Sequence, residues 1–135
     1  MKKMVSSGSH WEHLVGYSRA VRVGNIIEVA GTTAIDGDSP LSDDIYDQSM
    51  FILKKIDDSL IQLGGSIIDV VRTRMYVTDI SHWEKVAKAH CAFFGEIRPV
   101  TTMVEVKKLI RPDLLIEIEA TAIIEQNLPE EIVTN

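Results

Sequence analysis

The side chains of this chain that could do chemistry sit on short alternating segments, not in one contiguous motif. In Ile116-Glu117-Ile118-Glu119-Ala120-Thr121-Ala122, carboxylates and apolar residues take turns. A strand there presents Ile116, Ile118, Ala120 and Ala122 on one face and Glu117, Glu119 and Thr121 on the other. Upstream, Thr101, Met103 and Glu105 share one face of a second strand, opposite Thr102, Val104 and Val106. Carboxylates aligned opposite a core call for a polar cleft or a charged subunit interface. Arginines are the natural partners, because the planar guanidinium meets a carboxylate bidentately. Arg19 shares a strand face with Tyr17, and Arg72, Arg74 and Tyr76 share another. Arg19 and Arg74 are candidates to grip an acidic ligand group, or they only make interface ion pairs. Thr101 offers a hydroxyl to a ligand or simply packs in a strand. Met103 lines an apolar wall or packs at an interface. Gly31 marks a place where backbone can approach a ligand, or is a plain strand-end glycine.

Other constellations are weaker. Cys91 follows His90 on a segment of helical period, where adjacent side chains diverge by about 100° and cannot form a nucleophile–base pair. Cys91 is therefore read as a small core residue. His10-Trp11-Glu12-His13 has too few ligands at fixed geometry for zinc, so no metal and no organic cofactor is expected. There is no Gly-rich phosphate loop, nucleophile elbow or HExxH. The 135 residues suit one domain. A net charge of −6 opposes an extended nucleic-acid footprint. No apolar run is long enough to span a bilayer, no apolar leader follows Met1, and the single cysteine fits a reducing compartment. The cytoplasm is the expected location, with no membrane partner.

The elements that must position these groups follow from period and punctuation. Residues 1–14 lack a clear period and read as an irregular arm. Tyr17 to Val23 and Ile26 to Thr32 read as strands joined at Gly24-Asn25. Ile35 to Asp43 is a loop. Ile45, Ser49, Ile52, Ile56, Leu60 and Leu63 recur at helical spacing, so a helix spans about Asp44 to Leu63 and stops at Gly64-Gly65. Ile67 to Asp79 is a strand. Ser81-His82-Trp83-Glu84 reads as a capping box opening a second helix that runs to about Phe94. The last two strands read as a closing hairpin. The main domain spans 15–126, and 127–135 is an acidic tail. The order ββαβαββ gives an α+β fold, a single mixed sheet with two helices on one face. Its other face would carry Arg72, Arg74, Tyr76, Glu105, Glu117 and Glu119, with Tyr17 and Arg19.

The stretch Arg98 to Ala120 resembles the closing segment of the RidA/YjgF family of reactive enamine/imine deaminases. Further matches follow in the same order: Gly16-Tyr17, Val23-Gly24-Asn25, Ala30-Gly31, Gly64, Asp69-Val70-Val71, Tyr76-Val77-Thr78-Asp79 and Phe93-Phe94. The resemblance implies a chorismate-mutase-like fold assembled as a homotrimer, with clefts between subunits. It puts the water-positioning acid on Glu117, a cleft tyrosine on Tyr17, and main-chain substrate contacts at Gly31 and Thr32. The family's pattern Pro-x-Arg-x-Cys becomes Pro99-Val100-Thr101-Thr102-Met103 here, so Thr101 stands where the substrate-binding arginine is usual. The implied activity is hydrolysis of a small imine, enamine or related nitrogenous metabolite other than simple 2-aminoacrylate. Arg19, then Arg74, would anchor an acidic group. A non-catalytic metabolite-binding trimer is the alternative reading. An endoribonuclease or translation inhibitor, another label of the family, is the weaker one because no basic stripe is present.

Overall fold

A computed structural model describes residues 1–37 and 41–125, so the expected acidic tail lies outside the described residues. The alternating run around Glu117 forms the longest-range part of the architecture. In chain order the elements are β1 (Lys2–Val5), α1 (His10–Val15), β2 (Ala20–Val23), β3 (Ile26–Thr32), α2 (Ile45–Gln62), β4 (Val70–Val77), α3 (Trp83–Phe94), β5 (Val100–Glu105) and β6 (Ile116–Ile123). Single 3₁₀ turns, Ile67–Asp69 and Ile80–His82, precede β4 and α3. All six strands join one mixed sheet in the order β1-β2-β3-β6-β4-β5. The single mixed α+β sheet expected from the sequence is what forms.

Alternation decides what is buried. Ile116, Ile118, Ala120 and Ala122 are each at most 1% exposed, while Glu117, Glu119 and Thr121 are partly exposed. The same face of β4 carries Thr73, Met75 and Val77, and that of β3 carries Ile27 and Val29. Against them pack Ile52, Leu53, Ile56 and Leu60 of α2 and Val86 and Phe94 of α3. Asp44 caps α2 by accepting from the Tyr46 and Asp47 N–H groups, and Gly64 takes the left-handed conformation just past its end (φ 84°).

Five expectations need correction. The last two strands are not a hairpin. β4, α3 and β5 make a β-α-β unit, which forces β5 parallel to β4 on its outer edge. β6 then fills the slot between β3 and β4, antiparallel to both. That register moves Glu105 off the open face. It sits opposite Val77, on the helix side, and accepts from the Ile80 N–H at 3.1 Å.

The arm is not irregular. Lys2–Val5 pairs antiparallel with β2, and α1 is a short helix capped by Ser9 and ended by Gly16 at φ 87°. Four residues with only Val5 buried leave no readable period. Among the described residues, two long helices and a third short one therefore accompany the sheet. The Ser81 capping box does not form. Asp79 accepts from the Ser81 N–H at 3.0 Å to cap the 3₁₀ turn, which leads into α3 without a side-chain cap on His82. Cys91 is exposed, because the buried stripe of α3 runs through Val86, Ala89 and Phe94.

Candidate functional site

β3 and β6 pair in register from Ile26↔Ile123 to Val29↔Ala120, but Thr32 pairs with Ile118. One extra residue therefore sits on β3, a bulge at Ala30-Gly31. Glu119 lies opposite it in register, and the carboxylate of Glu117, two residues away on β6, lies so close to Gly31 that a Cβ there would collide with it. A bulge re-aims the strand, and glycine is the residue that permits this approach.

Arg19 sits just before β2 and is 7% exposed. Its Nη2 donates to the Gly31 carbonyl at 2.7 Å, tying the bulge to the neighbouring strand. Its guanidinium lies 5.8 Å from the Tyr17 ring centroid, within cation–π reach. Its Nε is buried without a hydrogen-bond partner.

These groups line one cleft of about 1160 Å³. Its other walls come from the α1 segment (Ser7 to Trp11), from Ile35-Asp36-Gly37, and from Phe51 and Lys55 of α2. Glu12 braces the α1 wall. It is 7% exposed and accepts from both the N–H and the hydroxyl of Ser7. Burial acts to raise its carboxyl, but the Ser7 and Ser6 hydrogen bonds and the Arg19 charge bring it below the usual 4.5. Glu117 goes the other way. Burial raises it above 4.5, Glu119 adds to the rise, and Arg19 opposes it. Lys55 donates to the Ile35 carbonyl at 3.2 Å. Burial and then the Arg19 charge lower its ammonium below 10.5, against Asp36 and Glu12. A carboxylate biased toward holding its proton, beside backbone exposed at a bulge, can take a proton from water and return it.

Of the residues singled out from sequence, Tyr17, Arg19, Gly31 and Glu117 line this cleft. Thr32 does not: it is 1% exposed and donates its hydroxyl to the Ala30 carbonyl. Arg74 stands 3.8 Å from Glu119 on the open sheet face, where the Tyr76 hydroxyl also donates to Glu119 at 2.8 Å. Thr101 lies on the edge strand opposite Thr73. The Thr73 hydroxyl donates to Thr101 Oγ1 at 2.7 Å and lies 2.8 Å from His90 Nε2. Met103, opposite Met75, packs partly buried on the core. Lys55, Trp11 and Asp36 in the cleft were not foreseen. Lys55 left a signal: three residues past Ile52 and four before Ser59, both buried, it borders the buried stripe of α2. Among the described residues no group of three or more His, Cys, Asp or Glu could hold a metal ion, and no helix is long and apolar enough to cross a membrane.

Residues 9–124 match the family model described as Endoribonuclease L-PSP. A RutC family protein of Pyrococcus abyssi is 37% identical over 108 residues, covering 78% of this chain and 84% of that one. The 3-aminoacrylate deaminase RutC of Acinetobacter baylyi is 30% identical over 111 residues, covering 81% and 87%. A crystal structure of a YjgF/YER057c/UK114 family member from Mycobacterium tuberculosis matches with a TM-score of 0.86 and 53% identity, covering 92% of this chain and all 100% of that one. Sequence match and shared fold agree over most of the chain: it belongs to the Endoribonuclease L-PSP family, the YjgF/RidA proteins, which includes reactive-intermediate deaminases.

Proposed function

We propose that this chain is a RidA-like hydrolase that deaminates a small imine or enamine, or a related nitrogenous metabolite, in clefts completed between the subunits of a homotrimer. The observation that carries this reading is Glu117, held against the Gly31 bulge on the wall of the cleft with its carboxyl raised by burial. In the reaction, Glu117 takes a proton from water as the water oxygen bonds to the imine carbon. The proton returns to the nitrogen to give a carbinolamine, and as the C–N bond breaks the hydroxyl proton passes to the nitrogen, so that ammonia and a carbonyl product leave. Imine and water are consumed in equal number, and no electrons are exchanged with another reactant.

Substrate binding falls to Tyr17, Arg19 and the Gly31 backbone, the other residues of the expected set that share the cleft with Glu117. Arg19 is favoured over Arg74 as the cation for an acidic group, because Arg74 is engaged by Glu119 away from the cleft. Thr101, in place of the arginine usual in the family, turns specificity away from simple 2-aminoacrylate.

The uncovered sheet face supports the trimer. It combines the Arg74–Glu119–Tyr76 network with Val100, Val104, Ile26 and Ile123, exposed at 61%, 41%, 46% and 39%. Such a mixture of apolar and paired charged groups suits burial against copies of itself. Sedimentation at working concentration tests it, and a monomer would end the inter-subunit part of the reading.

The catalytic part is tested by ammonia release from freshly generated 2-aminoacrylate and from bulkier imines. Glu117→Gln should lower kcat/KM on the preferred imine by about 10²–10⁴-fold, the usual worth of a positioned general base. Equal rates for the two proteins would refute the assignment. Binding without release by the wild-type protein would favour the metabolite-binding alternative.

A further inference from the structure

We propose that Lys55, acting beside Arg19, is a specificity-determining residue that anchors an anionic group of the ligand, a carboxylate, inside the cleft of its own chain. The proposal deepens the reading of the cleft given above and places the charge that Thr101 lacks on a different element, α2.

Four Lys and Arg residues line the cleft: Lys54 is exposed and Arg111 pairs with Asp113, whereas Arg19 and Lys55 take part in none of the ion pairs found among the described residues. Arg19 brings a guanidinium, a planar fork of donors. It is 7% exposed, spends Nη2 on the Gly31 carbonyl, and leaves Nε buried and without a partner. A buried charge with an unsatisfied donor is costly unless something completes it. Lys55 has three donors and gives one to the Ile35 carbonyl, with its Nζ 6.0 Å from the Phe51 ring centroid. The Arg19 charge makes the Lys55 proton easier to lose.

Among the described residues no carboxylate forms an ion pair with either cation. Glu12 has its acceptor Oε2 occupied by the Ser7 N–H and hydroxyl. Asp36 is exposed at the cleft rim and Asp58, also on the wall, is exposed. Glu117 stands against the Gly31 bulge and forms none of the ion pairs found among the described residues. A carboxylate suits this pair of cations, since its two oxygens can accept from an ammonium and from a guanidinium. A ligand so held keeps its remaining atoms within the cleft that Glu117 lines.

The test uses a stable probe and needs no turnover. Binding of 2-oxobutyrate and of uncharged 2-butanone to the full chain is measured by titration calorimetry at fixed ionic strength. The keto acid should bind and the ketone should not. Lys55→Met should weaken keto-acid binding by about 10- to 100-fold, the range expected for losing a charge-assisted hydrogen bond. Lys55→Arg, which keeps the charge, should retain most of it. Amide NMR dispersion verifies that each variant is folded, and the Arg variant keeps the test open should the Met variant fail to fold. Keto-acid affinity unchanged in folded Lys55→Met, equal binding of acid and ketone, or an Lys55→Arg variant as weak as a neutral one would each overturn the proposal. Keto-acid binding with the expected Lys55 dependence, but no ammonia released from any imine, would uphold the anchor while removing the hydrolase reading.

Discussion

Gly31→Ala separates the work of the bulge from the stability of the sheet. The added Cβ would meet the Glu117 carboxylate, with Cδ at 3.0 Å and Cγ at 3.4 Å. The three nearest atoms all belong to Glu117, and Gly31 is not among the residues at positive φ. The backbone can therefore accept alanine, and the closest conflict falls on the flexible end of one side chain. Swinging that end off its preferred rotamer costs about 0.5–1.5 kcal/mol. Alanine also narrows the unfolded ensemble and returns about 0.4–1 kcal/mol. The net change in folding stability should be within about 1 kcal/mol, a small shift in a denaturant midpoint. Catalysis should respond far more, because a displacement of about 1 Å in a positioned group costs on the order of 10²-fold.

The expected result is thus a folded protein whose kcat/KM for imine hydrolysis is about 100-fold down. Glu117→Gln supplies the control. If alanine acts by displacing the carboxylate, adding it to Glu117→Gln should cost little more, since residues acting as a unit are not additive. Ammonia release from the single and double variants reads this directly. A Gly31→Ala protein within about threefold of wild type, or a full second loss in the double variant, would refute the link between bulge and carboxylate.

Glu119 helps keep the Glu117 carboxyl raised, so Glu119→Gln should move the acid limb of the pH–rate profile to lower pH; an unmoved limb would mean that Glu117 does not set it. Because the folded state holds the Glu117 proton more tightly than the unfolded state does, this group's contribution to stability is largest below the unfolded value and is lost as pH rises through the folded one, so Glu117→Gln should raise the melting temperature at neutral pH. Thr73 is fully buried between His90 and Thr101, so Thr73→Val should cost about 1–3 kcal/mol in urea unfolding by leaving the imidazole nitrogen unmatched. Burial lowers His90 below 6.5; the unfolded chain takes up that proton first, stability should fall as pH drops through 6.5, and His90→Gln should flatten that slope. Arg74→Glu sets like charges against Glu119 on the open face and should shift sedimentation toward smaller species.

The legible part of the fold is the part that alternation encodes. Ile116, Ile118, Ala120 and Ala122 declare a buried face because a strand has a period of two, and Ile45 to Leu63 declares a helix by its period near 3.6. Alternation says which residues share a face of one strand. It does not say which strand lies alongside. Reading β5 and β6 as a hairpin therefore gave each strand the correct faces and still put Glu105 on the wrong side, since β4 lies between them. The arm failed for a different reason: a strand of four residues and a helix of six carry too little pattern to stand out.

The cleft is where that limit matters most. Tyr17, Arg19, Gly31 and Glu117 could each be named one at a time, from residue type and from resemblance. What joins them is a single extra residue between Val29 and Thr32. Downstream of it every residue of β3 is offset against β6 by one, so Thr32 turns into the core while the Gly31 carbonyl meets Arg19 and its Cα meets Glu117. A one-residue slip exchanges the faces of a strand, and no periodicity measured along the strand alone reveals on which partner the slip falls. Glycine at 31 was the visible trace of it. Lys55 left a comparable trace at the margin of the α2 stripe, where a long cationic side chain has no reason to lie unless its far end reaches something polar.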